Sequence, residues 1–105
     1  MTRAMRVAAL GGVLLMATHP SFAAGDVKAG RTKAAQCAAC HGIDGMSKLP
    51  EAPNLAGQTE EYLVKALNDF RTGERKNEMM SMMAKTLSDA DVANLAAYYH
   101  SLGKQ

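Results

Sequence analysis

Both cysteines of the 105-residue chain fall within five residues, Cys37-Ala38-Ala39-Cys40-His41. Thiols three positions apart share one side of a helical turn, and a histidine follows at once. That arrangement suits covalent attachment of a haem. Each thiol adds to one vinyl group to give a thioether, two intervening residues match the vinyl separation, and the histidine presents its imidazole to the iron. The cysteine pair has rival uses. A thioredoxin-like dithiol needs a βαβ setting, of which the sequence carries no sign. A structural zinc site needs four ligands; Cys37, Cys40, His41 and His100 just number four, at a spacing of no common zinc module. A plain disulfide would need neither His41 nor export. Haem c is the reading that uses every residue of the motif.

A second cluster holds Met79, Met80, Met82 and Met83. A thioether is a soft, neutral iron ligand that raises the reduction potential. It is also a flexible filler of irregular gaps. Each of the four is a candidate for the second axial position on the iron, and His100 is a fifth. Nothing in the chain resembles a general acid–base pair, so no enzyme is expected.

These side chains must be held by helices. No stretch alternates apolar with polar residues for long, and β-branched residues are sparse. One helix is expected from Asp26, its N-cap, to about Ala39. A second begins near Thr59 with Glu60 and Glu61 in its first turn, carries Leu63, Ala66, Leu67 and Phe70 at helical spacing, and stops at Gly73. A third begins at Ser88, where Ser88 and Asp91 have capping-box spacing, and ends at Gly103. Gly42–Gln58 is rich in Gly and Pro and reads as loop. Gly73–Thr86, with the Met cluster, reads as a second irregular stretch. The expected fold is all-α, three main helices and two long loops around one haem.

The first 23 residues look like an export signal rather than part of that fold. Arg3 and Arg6 precede an 11-residue apolar run, Val7 to Ala17, and Ser21-Phe22-Ala23 offers small residues at −3 and −1. Cleavage after Ala23 would leave residues 24–105 as the working domain, in the periplasm; cleavage after Ala24 would put bulky Phe22 at −3. No apolar run reaches the roughly 18 to 20 residues of a membrane span. From residue 24 onward ten basic and ten acidic residues balance, which argues against a nucleic-acid partner. That part has no Trp and one Phe, so the core is expected to need the haem to fill it.

In order along the chain, Gly25-Asp26…Gly30, CAACHGIDG at 37–45, PNLAGQ at 53–58, YLVKAL at 62–67, DFRTGER at 69–75, the Met cluster and LSDADVANLAAYY at 87–99 resemble a class I c-type cytochrome. The likeness is to the small bacterial single-haem branch and to each half of the dihaem periplasmic cytochromes. It implies helices crossing at the two ends of the domain, a third alongside, and haem in the crevice between. The family pattern puts the ligand Met seven residues before the Leu that precedes the last helix; here that is Leu87, which selects Met80. It gives Pro53, 12 residues after His41, the role of offering its carbonyl to the other imidazole nitrogen. Gly30 and the Tyr98–Tyr99 pair are expected where the first and last helices cross. Asn54, Gln58 and Arg75 are candidates to reach the haem propionates or the Met sulfur, for which the sequence gives no geometry.

The function implied is a soluble periplasmic electron carrier, a monomer exchanging single electrons with transient redox-protein donors and acceptors in a respiratory or related chain. A cytochrome subunit of a larger dehydrogenase or oxidase, and a ligand-binding or sensor haem protein, are the alternatives.

Overall fold

The computed structural model describes residues 25–103, with Ala4, Gly11 and Gly12 besides. The expected signal segment therefore lies almost wholly outside the described residues. Within them the chain is all-α, and no strand occurs.

Helix α1 (Val27–Lys33) starts where the Asp26 carboxylate accepts the Lys28 and Ala29 amides at 2.9 and 3.2 Å. The same residue donates its own amide to Asn94 Oδ1 at 2.8 Å, pinning the start of the domain to its last helix. The single helix expected to Ala39 is three pieces. A 3-10 turn (Ala34–Gln36) tightens the path after α1, and α2 (Ala38–His41) follows from Cys37. The attachment motif thus occupies its own short turn, closed by Gly42 at φ 77°.

Helix α3 (Glu60–Thr72) begins as expected at Thr59, whose hydroxyl accepts the Tyr62 amide, and ends at Gly73 in the left-handed region. Helix α5 (Asp89–Ser101) carries the full capping box: Ser88 and Asp91 each accept the other's amide at 3.0 Å.

The stretch from Gly73 to Thr86 corrects the expectation of a loop. It contains helix α4 (Glu78–Ala84), with all four clustered methionines on it. The Asn77 side chain accepts the Met80 amide at 3.0 Å, and the Asn77 amide donates to Ser81 Oγ at 3.2 Å. Met is a good helix former. Paired methionines at 79–80 and 82–83 spread over more than one face, so they show no apolar stripe by which the helix could be found.

Helix α1 packs across α5, α3 packs beside α5, and α4 leans on α3. The α1–α5 crossing is close because Gly30 has no side chain: a Cβ there would lie 1.9 Å from the Asn94 carbonyl oxygen and 2.8 Å from Tyr98 Cβ. The core joins Ala34, Leu63, Leu87, Val92, Leu95, Ala96, Tyr98 and Tyr99, with half-buried Cys37, Leu55, Val64, Leu67 and Leu102 against it.

Candidate haem site

The imidazole of His41 is 7% exposed, at the end of α2. Its Nδ1 is 2.9 Å from the Pro53 carbonyl oxygen. A carbonyl can only accept, so Nδ1 holds the proton and donates it, which leaves the lone pair of the neutral ring on Nε2. The sequence pairing of His41 with Pro53 is thus a contact in the fold. The carbonyl comes from a loop that the protein holds at several points. The Gly45 carbonyl accepts the Leu55 and Ala56 amides at 2.8 and 3.1 Å, Lys48 donates to the Cys40 carbonyl at 2.8 Å, and Gly57 donates to the Tyr99 carbonyl at 3.0 Å.

Cys37 and Cys40 are free, half-buried thiols. Burial pushes the Cys37 thiol above its usual range, against smaller opposing effects of the Tyr99 hydroxyl and the Lys33 charge. Burial likewise raises the Tyr99 phenol, and the neighbouring Cys37 adds to it. Both groups are therefore neutral at physiological pH. The Tyr99 hydroxyl is buried with no hydrogen-bond partner, a condition that costs about 1–3 kcal/mol. The Cys37 thiol is the polar group beside it.

Three consecutive residues of α5 reach three parts of this site. Tyr98 donates its hydroxyl to the Ile43 carbonyl, just after the attachment motif. Tyr99 stands at Cys37. His100 Nδ1 is 2.7 Å from the Gln58 carbonyl, on the loop that carries Pro53. Successive helical positions are turned about 100° apart, so one turn of α5 can clasp three segments. The sequence reading gives Tyr98 and Tyr99 to packing at the helix crossing and names His100 only as a candidate ligand. Nothing local to 98–100 signals the clasp, because its partners lie 42 to 62 residues away.

On α4, Met80 and Met83 are half-buried, whereas Met79 and Met82 are 54% and 59% exposed. Positions three apart share a helix face, so Met80 and Met83 turn inward together. Asn54, one of the residues expected near the haem edge, accepts the Ser47 amide at 2.7 Å within its loop. Arg75 lies over the Phe70 ring, 4.7 Å from its centroid. Arg71, Lys76 and Lys85 line one cleft of about 510 Å³ between the end of α3 and the start of α4. That cleft touches none of Cys37, Cys40 and His41.

The residues present suit a haem better than the rival groups. Among the described residues no three His, Cys, Asp or Glu side chains converge on a metal, so the four-ligand zinc set is not assembled. His100 faces Gln58 instead. Among the described residues four of the eleven buried apolar ones are alanines, so they supply little bulk of their own. The free thiols, the imidazole with Nε2 unengaged and the orphaned phenol are the chemistry a covalently held porphyrin would meet.

Comparison with known proteins agrees. The family model described as Cytochrome c matches residues 27–103. The chain is 51% identical over 84 residues to cytochrome c4 of Pseudomonas aeruginosa, covering 80% of this chain and 42% of that protein. It is 47% identical over 81 residues to cytochrome c-554(548) of Halomonas halodenitrificans, covering 74% of this chain and 98% of that one. The crystal structure of reduced recombinant cytochrome c4 from Pseudomonas stutzeri superposes with a TM-score of 0.70 at 46% identity, covering 74% of this chain and 46% of that chain. The chain spans less than half the length of the cytochromes c4, as one of their halves would, and nearly all of the shorter relative. With one C-x-x-C-H motif in a fold matched from α1 to the end of α5, the chain belongs to the cytochrome c family, as a small class I domain that carries a single haem c.

Proposed function

We propose that the chain is a periplasmic one-electron carrier, exported by residues 1–23 and working as residues 24–105. Cys37 and Cys40 are the attachment sites of its haem c, and His41 and Met80 are the axial ligands. The observation that carries the reading is the 2.9 Å contact between His41 Nδ1 and the Pro53 carbonyl. It fixes the tautomer and the ring plane and makes Nε2 a stronger donor, the usual service of an outer hydrogen bond to a ligand histidine. Met80 is favoured by its half-buried place on α4, opposite the exposed Met79 and Met82.

When bound, the haem supplies a ferric/ferrous couple. With His41 and Met80 both holding its iron, little would rearrange on electron transfer and no position would be open to substrate. The short α2 turn holds His41 and both thiols in one rigid unit, and the Pro53 loop prevents the imidazole from rotating. Donor and acceptor are redox proteins that bind transiently. Among the described residues no helix is long and apolar enough to cross a membrane.

The test is to produce the full chain in a host that exports it and attaches haem. The carrier reading expects a product starting at Ala24, one haem by mass, both thiols inert to alkylation, one reversible one-electron wave, and no carbon monoxide binding by the reduced protein at neutral pH. Ready binding of carbon monoxide by the reduced wild-type protein would make it a ligand-binding haem protein and overturn the carrier reading.

A further inference from the structure

Tyr99 is 3% exposed, and its hydroxyl has no hydrogen-bond partner. A buried hydroxyl without an acceptor is unfavourable, and native cores rarely keep one without a reason. The neighbouring phenol solves the same problem differently: Tyr98, at a ring-centroid distance of 5.1 Å, gives its proton to the Ile43 carbonyl. The α5 carbonyls near Tyr99 are engaged too, that of Tyr98 by Ser101 Oγ and that of Tyr99 by the Gly57 amide. Cys37 packs against the core cluster that holds Tyr99, and its sulfur acts on the Tyr99 hydroxyl. While that sulfur is a thiol it is a weak acceptor that also carries a competing S–H donor. As a thioether it has lost its hydrogen and can only accept.

We infer that the Tyr99 hydroxyl donates a hydrogen bond to Cys37 Sγ in the haem-bearing protein and thereby tunes its reduction potential. The inference rests on attachment at Cys37. Haem attachment removes the competing S–H and leaves the sulfur as an acceptor for the phenol. The positive end of the O–H dipole then faces the sulfur that joins the porphyrin edge. Inside a core, with no water to screen it, such a dipole favours the electron-rich ferrous state. Tyr99 is thus a positioning and tuning residue. It touches the cofactor's attachment point and takes no part in ligating iron.

The test reads the thioether directly. In the wild-type holoprotein, resonance Raman spectroscopy is expected to show a carbon–sulfur stretching band that shifts on full exchange into deuterated buffer. In Tyr99→Phe the haem stays attached, the shift disappears and the reduction potential falls. Tyr98→Phe, whose hydroxyl is bonded elsewhere, keeps the shift. Tyr99→Leu repeats the loss if the phenylalanine variant matures poorly, and the wild-type measurement alone is decisive. Absence of the deuterium shift in the wild type, its survival in Tyr99→Phe, or a potential that is unchanged or raised would overturn the inference. Failure of the attachment reading looks different: Cys37→Ala would then leave the number of thioether links per haem, counted by mass, unchanged.

Discussion

The imidazole of His41 can carry its proton on either nitrogen, and a carbonyl oxygen 2.9 Å from Nδ1 selects that one. One backbone atom of Pro53 therefore decides which nitrogen keeps its lone pair free. Four methionines are the candidates for a second ligand, and burial separates them into pairs. Met80→Ala is expected to keep both thioether links, to lose the sulfur-to-iron charge-transfer absorption of the ferric form, to lower the potential, and to let the reduced protein bind carbon monoxide. Met83→Ala is expected to keep that absorption and to cost about 1–2 kcal/mol by denaturant unfolding, below the 2–5 kcal/mol of a fully buried Met→Ala change, because Met83 is half-buried. Met79→Ala and Met82→Ala, on the exposed face, are expected to stay within about 0.5 kcal/mol of wild type and keep the absorption. If Met80→Ala keeps the band and another variant loses it, the ligand assignment moves while the carrier reading stands.

Helix ends and one helix crossing set how these residues are presented. A methyl group at Gly30 would collide with the backbone of Asn94, which cannot step aside as a side chain could. Gly30→Ala is expected to cost about 3 kcal/mol, at the upper end of what overpacking usually costs, read as a fall in the denaturant midpoint of the holoprotein. At the start of α5 the Asp91 carboxyl is held below its usual value, chiefly by the Ser88 amide, with the Ser88 hydroxyl and Lys33 contributing less. The folded protein thus binds that proton less tightly than the unfolded chain. The contribution is complete above the ordinary carboxylate value of 3.8 and is lost as the pH falls through the lowered native one. Ser88→Ala is expected to destabilise by about 1 kcal/mol at neutral pH. The stability gap between wild type and Asp91→Asn should hold level from pH 7 to about 5 and close below about 4 in acid titrations. A gap that widens in acid would contradict the capping role.

At the scale of the molecule, the domain is short of bulk. Its buried apolar set includes four alanines and one phenylalanine, and its interior keeps a phenol with nothing to bond. A domain of this size rarely gathers enough stability from such a core alone. Cys37→Ala with Cys40→Ala, produced without haem, is expected to melt without a cooperative transition and to show poor amide dispersion by NMR, while the holoprotein does both well. A sharp two-state melt of the haem-free chain would show that the polypeptide core suffices. Charge plays little part in this, since ten basic and ten acidic residues balance from residue 24 onward.

Much of this was written locally. The Cys37-to-His41 spacing, the Ser88 and Thr59 caps and the Gly73 stop are decided by neighbours three or four residues apart, and each stands in the fold where its pattern put it. The partnership of Pro53 with His41 was legible through family likeness, and the fold brings the two atoms into contact. The cap on α4 was equally local, but the methionines that follow Asn77 hid the helix by carrying no single apolar face. Only the tertiary structure could separate the inward Met80 and Met83 from the exposed Met79 and Met82, because burial depends on what a helix packs against. It alone brought Tyr98, Tyr99 and His100 to Ile43, Cys37 and Gln58. Contacts across 42 to 62 residues of chain leave no periodicity in sequence; they exist only once α5 is packed against the segments that carry Cys37, Ile43 and Gln58.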